Sequence, residues 1–149
     1  MTAFPAACTA STEPADSTSL SAAASQLPAA IPRDDAEAIR RSVELLNAAA
    51  GGAVSEQQEV LRDLVDPALG AGLDECPIAT TTLLFEPVYP GLRPTPDWTS
   101  ANGSLTGTLY ALPSLIRIHT GDRVTGTDLT TLHFGVQSGE AFLTPLCVS

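Results

Sequence analysis

The positions of the three cysteines constrain the fold of this chain more than any other feature. Cys76 stands just before the first strand-like run and Cys147 lies two residues from the C-terminus, so the pair brackets the whole β-rich half. Antiparallel neighbours would bring the two Cα atoms within the separation that a disulfide requires. We therefore predict a Cys76–Cys147 disulfide, which is worth about 4 kcal/mol for a loop of this size in the chain-entropy model. The alternative is two buried thiols, as expected in a reducing compartment.

Cys8 precedes a segment that has no periodic apolar face. Of the 24 residues at positions 9–32, 18 are Ser, Thr, Pro or Ala. Such a segment cannot offset its ordering entropy, so we predict a disordered tether over residues 1–32 and a single domain over residues 33–149. Ala6 and Ala7 before Cys8 resemble the end of a lipobox, in which the cysteine becomes lipidated. Cys8 is therefore a candidate lipidation site; the alternative is an incidental free thiol in the tail.

Cysteine usage and charge predict the compartment and limit the partners. A disulfide and a lipidated cysteine both favour an extracytoplasmic protein, either secreted or held in the cell envelope. Only seven residues precede Cys8, so export requires a leader upstream of Met1. The net charge is −10 and the seven arginines are scattered, which argues against nucleic acid as a partner. We expect contact with a membrane only through a lipid anchor.

Apolar periodicity predicts two helices in the first half of the domain. Ile39, Val43 and Leu46 recur at helical spacing after Asp34 and Asp35, either of which can cap the helix. A second helix is predicted to begin with a capping box at residues 55–58 and to end at residues 66–67.

After Cys76 the composition is typical of strands. We predict strands over residues 78–89, 104–119 with an interruption or a bend at Pro113, 127–136 and 141–148, the last two joined by a hairpin. Two helices followed by an antiparallel meander define an α+β domain.

Several short motifs occur in order along the domain: Leu46-Asn47, Val54-Ser55, residues 64–67, the Thr-rich strand and the hairpin at residues 129–143. Together they resemble the mycobacterial low-molecular-weight secreted antigen family and related actinobacterial lipoproteins. Residues 137–140 replace the Asn-x-Gly-Gly-Trp turn that is usual in that family. The resemblance implies an N-terminal helix pair packed on a curved antiparallel sheet of about four strands, similar to cystatin-like or nuclear-transport-factor-like folds. It implies no catalytic residues.

The residues that carry chemistry indicate a binding role more than a catalytic one. Trp98, in a proline-rich loop, is the candidate contact residue; the alternative is that its ring folds back over the sheet. We predict a non-enzymatic envelope protein that binds another envelope protein or a small apolar ligand and that needs no cofactor or metal. The alternative is a small pocket enzyme of the nuclear-transport-factor-like kind acting on an apolar substrate. Its acid–base groups would be His119 or His133 with Asp122 or Asp128.

Overall fold

A computed structural model describes residues 30–76, 79–101 and 103–147 of the chain. Helices come first and one antiparallel sheet follows, so the predicted α+β class is confirmed. The helices are α1 (Arg33–Ala48), α2 (Val54–Leu64) and the single turn α3 (Ala71–Asp74). A 3-10 turn over Pro67–Leu69 links α2 to α3.

The sheet contains five strands, one of them only two residues long. They are β1 (Thr82–Pro87), β2 (Arg93–Pro94), β3 (Thr108–Thr120), β4 (Arg123–Gln137) and β5 (Glu140–Leu143). The order across the sheet is β1-β3-β4-β5, and β2 pairs with β3 beyond the end of β1. All pairings between named strands are antiparallel, as the meander predicts.

The core lies between α1 and the concave face of the curled sheet. Helix α1 contacts both β1 and β5, which are far apart in the strand order, so the sheet wraps around the helix as a half-barrel. The buried face of α1 includes Ile39, Val43 and Leu46, as the periodicity predicts. Alternate residues of the strands complete the core; the largest of them are Phe85, Tyr110, Leu112, Leu132, Phe134 and Leu143.

The predicted helix caps are wrong at both helices. Pro32 is the residue before α1, and Asp34 and Asp35 lie inside its first turn. Ala53 is the residue before α2, so Ser55 lies inside the helix and makes no capping bond. Pro32 and Ala53, the residues before the two helices, form no side-chain cap. A helix can begin in this way when the packing of its apolar face stabilises it, because packing contributes more to its stability than a cap does.

Strand β3 passes through Pro113 without interruption. Its pairing with β1 ends at Ser114, which lies opposite Pro87, so the missing N–H of Pro113 falls where no strand needs it. The Pro113 carbonyl still accepts a hydrogen bond from the Val88 N–H at 2.8 Å.

The outer edge of β1 is covered by two side-chain amides. Gln57 on α2 accepts from the Leu83 N–H and donates to the Leu83 carbonyl, both at 2.7 Å. Asn47 on α1 bonds both backbone groups of Phe85 in the same way, at 2.8 Å each. The two amides therefore occupy the positions of a neighbouring strand and satisfy an edge that would otherwise be open to another chain.

The outer edge of β5 is covered by the helical half of the chain. The Ser42 hydroxyl donates to the Ala141 carbonyl at 2.9 Å, and the Asp66 N–H donates to the Leu143 carbonyl at 3.0 Å. Arg41 donates to the carbonyl of Gly139 in the preceding turn at 3.2 Å. Strand β5 ends well before the predicted residue 148, since Pro145 cannot continue the ladder.

Candidate functional site

The two cysteines that bracket the β half lie at disulfide distance. Their sulfurs are 2.03 Å apart and their Cα atoms 5.0 Å apart. Cys76 follows α3 and Cys147 follows β5, so the bond ties the helical segment to the end of the last strand. The predicted pairing is present. Cys8, the candidate lipidation site, lies outside the described residues, as does most of the predicted tether.

Trp98 lies against the convex face of the sheet. Its indole stacks on the His133 imidazole, with ring centroids 3.9 Å apart and an angle of 10° between the planes. It also packs against a small cluster formed by Val65, Leu69 and Leu105. Trp98 is only partly buried, so its side chain is held in place by the stack and still accessible to a partner. Its role as a contact residue stays a prediction.

His133 is held in its neutral form by its surroundings. Burial lowers the pKa of the imidazole, and the nearby positive charge of Arg93 lowers it further. The two side chains share a row across the sheet, because Arg93 lies opposite Ala111 and Ala111 lies opposite His133. A neutral ring on the indole face is therefore the favoured state at neutral pH.

His119 lies at the other end of the sheet, where β3 meets the turn between α1 and α2. Its Nδ1 is close to Gly51, where an added Cβ would approach it to 3.8 Å. Both ring nitrogens are buried, and neither has a hydrogen-bond partner among the described residues. Burial of an unpaired imidazole costs free energy.

The acid–base pairs of the enzyme alternative are not brought together. Within the described ranges, neither imidazole forms a hydrogen bond or ion pair with Asp122 or Asp128. Asp128 instead accepts a hydrogen bond from the Leu129 N–H at 2.8 Å. A cavity of about 70 Å³ lies between α2 and the residues that precede β1, and neither histidine lines it.

Asp66, which the sequence pattern predicts only as the end of the second helix, is a buried structural residue. It is 2% exposed, and its two carboxylate oxygens accept from the backbone N–H groups of Ala68 and Thr106. Burial alone would raise the pKa of this carboxyl, but the hydrogen bonds from Thr106 and Ala68 outweigh it and the pKa is lowered. The carboxylate thus fastens the loop before β3 to the end of α2.

One stretch of sheet edge is not covered by the rest of the described chain. Strand β5 pairs only with residues 134–137 of β4, so residues 123–131, which we call the open edge, have β3 on one side and no described strand on the other. Its side chains are mostly exposed, and Leu129 is 77% exposed. Leu129 lies opposite Leu115, beside Pro113 and the 52%-exposed Val88, in a shallow apolar hollow.

The described residues contain neither a cluster of metal-binding side chains nor a helix that could span a membrane. In those ranges no group of three or more His, Cys, Asp or Glu side chains could hold a metal ion. None of the described helices combines the length and hydropathy of a membrane span.

Comparisons of this chain with protein-family models, curated proteins and solved structures find no match. The resemblance to the secreted antigen family therefore stays a prediction.

The fluorescence of Trp98, the single tryptophan, should report the titration of His133. An imidazolium quenches an excited indole, so we expect emission to fall on acidification with a midpoint below the ordinary histidine value of 6.5. Because the folded-state pKa lies below the unfolded-state value, protonation favours the unfolded state, and stability declines as the pH falls from about 6.5 toward the folded-state pKa. His133→Gln should abolish the transition and His119→Gln should leave it unchanged. A midpoint at or above 6.5 would contradict the assignment.

Proposed function

We propose that this chain is an extracytoplasmic binding domain, exported or lipid-anchored in the cell envelope, that presents its sheet to a protein partner. The observation that carries the proposal is the Cys76–Cys147 pair at bonding distance. Disulfides persist in oxidising compartments and are rare in the cytosol, so a stapled domain of this size fits an exported protein.

The binding role rests on what the fold leaves accessible. The convex face carries a fixed, partly exposed indole at Trp98 and an exposed apolar group around Leu129. Large exposed apolar groups that a rigid sheet holds in place are typical of interaction sites. The acidic net charge of −10 favours a partner with a neutral or basic surface.

The state of the cysteines in protein purified from its native host tests the proposal. We expect Cys76 and Cys147 to resist alkylation until a reductant is added, and the protein to fractionate with the envelope or the medium. Intact mass should show lipid on Cys8 if the anchored form exists, and cleavage before residue 8. Free thiols at both positions in a cytoplasmic fraction would sink the proposal. Unmodified residues 1–7 in mature, envelope-located protein would remove only the anchor.

A further inference from the structure

The open edge differs from the outer edges of β1 and β5, which other parts of the described chain cover. Side chains from α1 and α2 satisfy the backbone of β1, and Ser42 and Asp66 satisfy that of β5. At residues 123–131 no described strand pairs with the outer side of β4. An unpaired strand edge is a template for another extended chain.

The hairpin turn determines which backbone groups face outward. Ser138 and Gly139 form a two-residue turn with positive φ values of 53° and 81°, which makes Gln137 and Glu140 a hydrogen-bonded pair. Because such pairs alternate along a strand, the odd-numbered residues of β4 direct their N–H and C=O groups away from β3. The Leu129 N–H accordingly reaches the Asp128 carboxylate rather than β3. Thr127, Leu129 and Thr131 therefore form a short row of outward-facing backbone groups.

We propose that the open edge is a strand-addition site for an extended, basic peptide segment of a protein partner. This inference rests on the proposed binding role and deepens it. Backbone hydrogen bonds from Thr127, Leu129 and Thr131 would hold the added strand, as in other cases of strand addition to a sheet edge. The partner's side chains would alternate between the convex and concave faces.

Asp128 sets the charge of the partner. Its carboxylate occupies the Leu129 N–H, so a strand that pairs with Leu129 must displace it. A lysine or arginine of the added strand, placed beside Asp128, would give the displaced carboxylate a new partner. The neighbouring positions of the added strand would lie beside Leu129, which is 77% exposed and favours an apolar side chain. The preferred segment therefore alternates apolar and basic residues.

A second copy of the chain fits this edge less well. Its net charge is also −10, and pairing the two Thr127–Thr131 rows with each other would bring the two Asp128 carboxylates together, with Arg123 outside the paired rows. Like charges at a strand pairing are destabilising.

Binding of a capped peptide of alternating valine and lysine to the full chain tests the inference. We expect saturable binding by calorimetry, with slowed amide exchange at Thr127, Leu129 and Thr131, and weak binding of the valine–glutamate counterpart. Thr127→Pro removes one outward N–H and should weaken binding about tenfold, whereas Thr127→Val keeps the backbone and should bind as the wild type does.

Two variants that each remove one negative charge serve as a further control. They distinguish a specific contact from a folding defect and from general attraction of the peptide to an acidic protein. Asp128→Asn should weaken binding of the valine–lysine peptide about fivefold. Asp122→Asn removes the same charge from the adjacent turn and should change little. Equal losses in both variants, unchanged amide exchange on saturation, or equal binding by the proline and valine variants would overturn the inference. So would protection of these amides in the free chain by a second copy or by its own N-terminal residues. None of these outcomes bears on the cysteine and fractionation test of extracytoplasmic location.

Discussion

Replacing Cys76 and Cys147 together with serine should lower the free energy of unfolding by about 4 kcal/mol. The bond spans 71 residues, so its loss restores a large loop-closure entropy to the unfolded chain. Domains of this size have a total stability of about 5–15 kcal/mol, so the variant should unfold at a much lower urea concentration. Urea denaturation followed by circular dichroism measures the change.

Two controls separate the disulfide from thiol chemistry in general. Cys8 is not part of the Cys76–Cys147 disulfide, so Cys8→Ser should leave the unfolding midpoint unchanged. Reduction of the wild type should reproduce the loss, while the double serine variant should not respond to reductant. A loss below about 1 kcal/mol in the double variant would contradict a stabilising role for this bond.

The elements that the sequence predicted are those specified by local pattern. Helix α1 follows from the spacing of Ile39, Val43 and Leu46, and the β4–β5 hairpin follows from a Gly-containing turn between two apolar runs. The Cys76–Cys147 pairing could be predicted because the two cysteines lie at the two ends of an antiparallel meander. In each case neighbours in sequence, or the order of elements, carry the information.

The features that the sequence did not reveal depend on residues distant in sequence. Gln57 bonds Leu83 26 positions away, and the Trp98–His133 stack depends on how a loop folds over β4. No local period distinguishes a glutamine that covers a strand edge from one on a solvated helix face. The predicted capping box was also wrong, because α2 begins at Val54 after Ala53 and has no side-chain cap.

The open edge was within reach of sequence reasoning. Pro145 ends β5 soon after the hairpin, whereas β4 is a long, threonine-rich run with no proline. A long strand beside a partner that a proline cuts short must leave part of its edge unpaired. The predicted fourth strand over residues 141–148 overlooked this signal.

The second large effect is expected at Gln57, which is only 3% exposed. Gln57→Ala would leave the Leu83 N–H without a partner and remove two hydrogen bonds to the carbonyls of Leu83 and Leu46. Unsatisfied buried backbone groups cost about 1–3 kcal/mol each, so we expect a loss of about 3 kcal/mol. Urea denaturation measures it, and faster exchange of the Leu83 amide should accompany it.

Gln58→Ala is the matched control, since it removes a neighbouring amide of the same helix that makes no such bond and should cost less than about 0.5 kcal/mol. Gln57→Glu gives a second test through its pH dependence. The buried carboxylate would face two carbonyls, which raises its folded-state pKa above the unfolded-state value. Its penalty should therefore be full above the folded-state pKa and should decline as the pH falls through it. A glutamate variant whose cost relative to the wild type did not decrease on acidification would show that the Gln57 amide does not donate to these carbonyls.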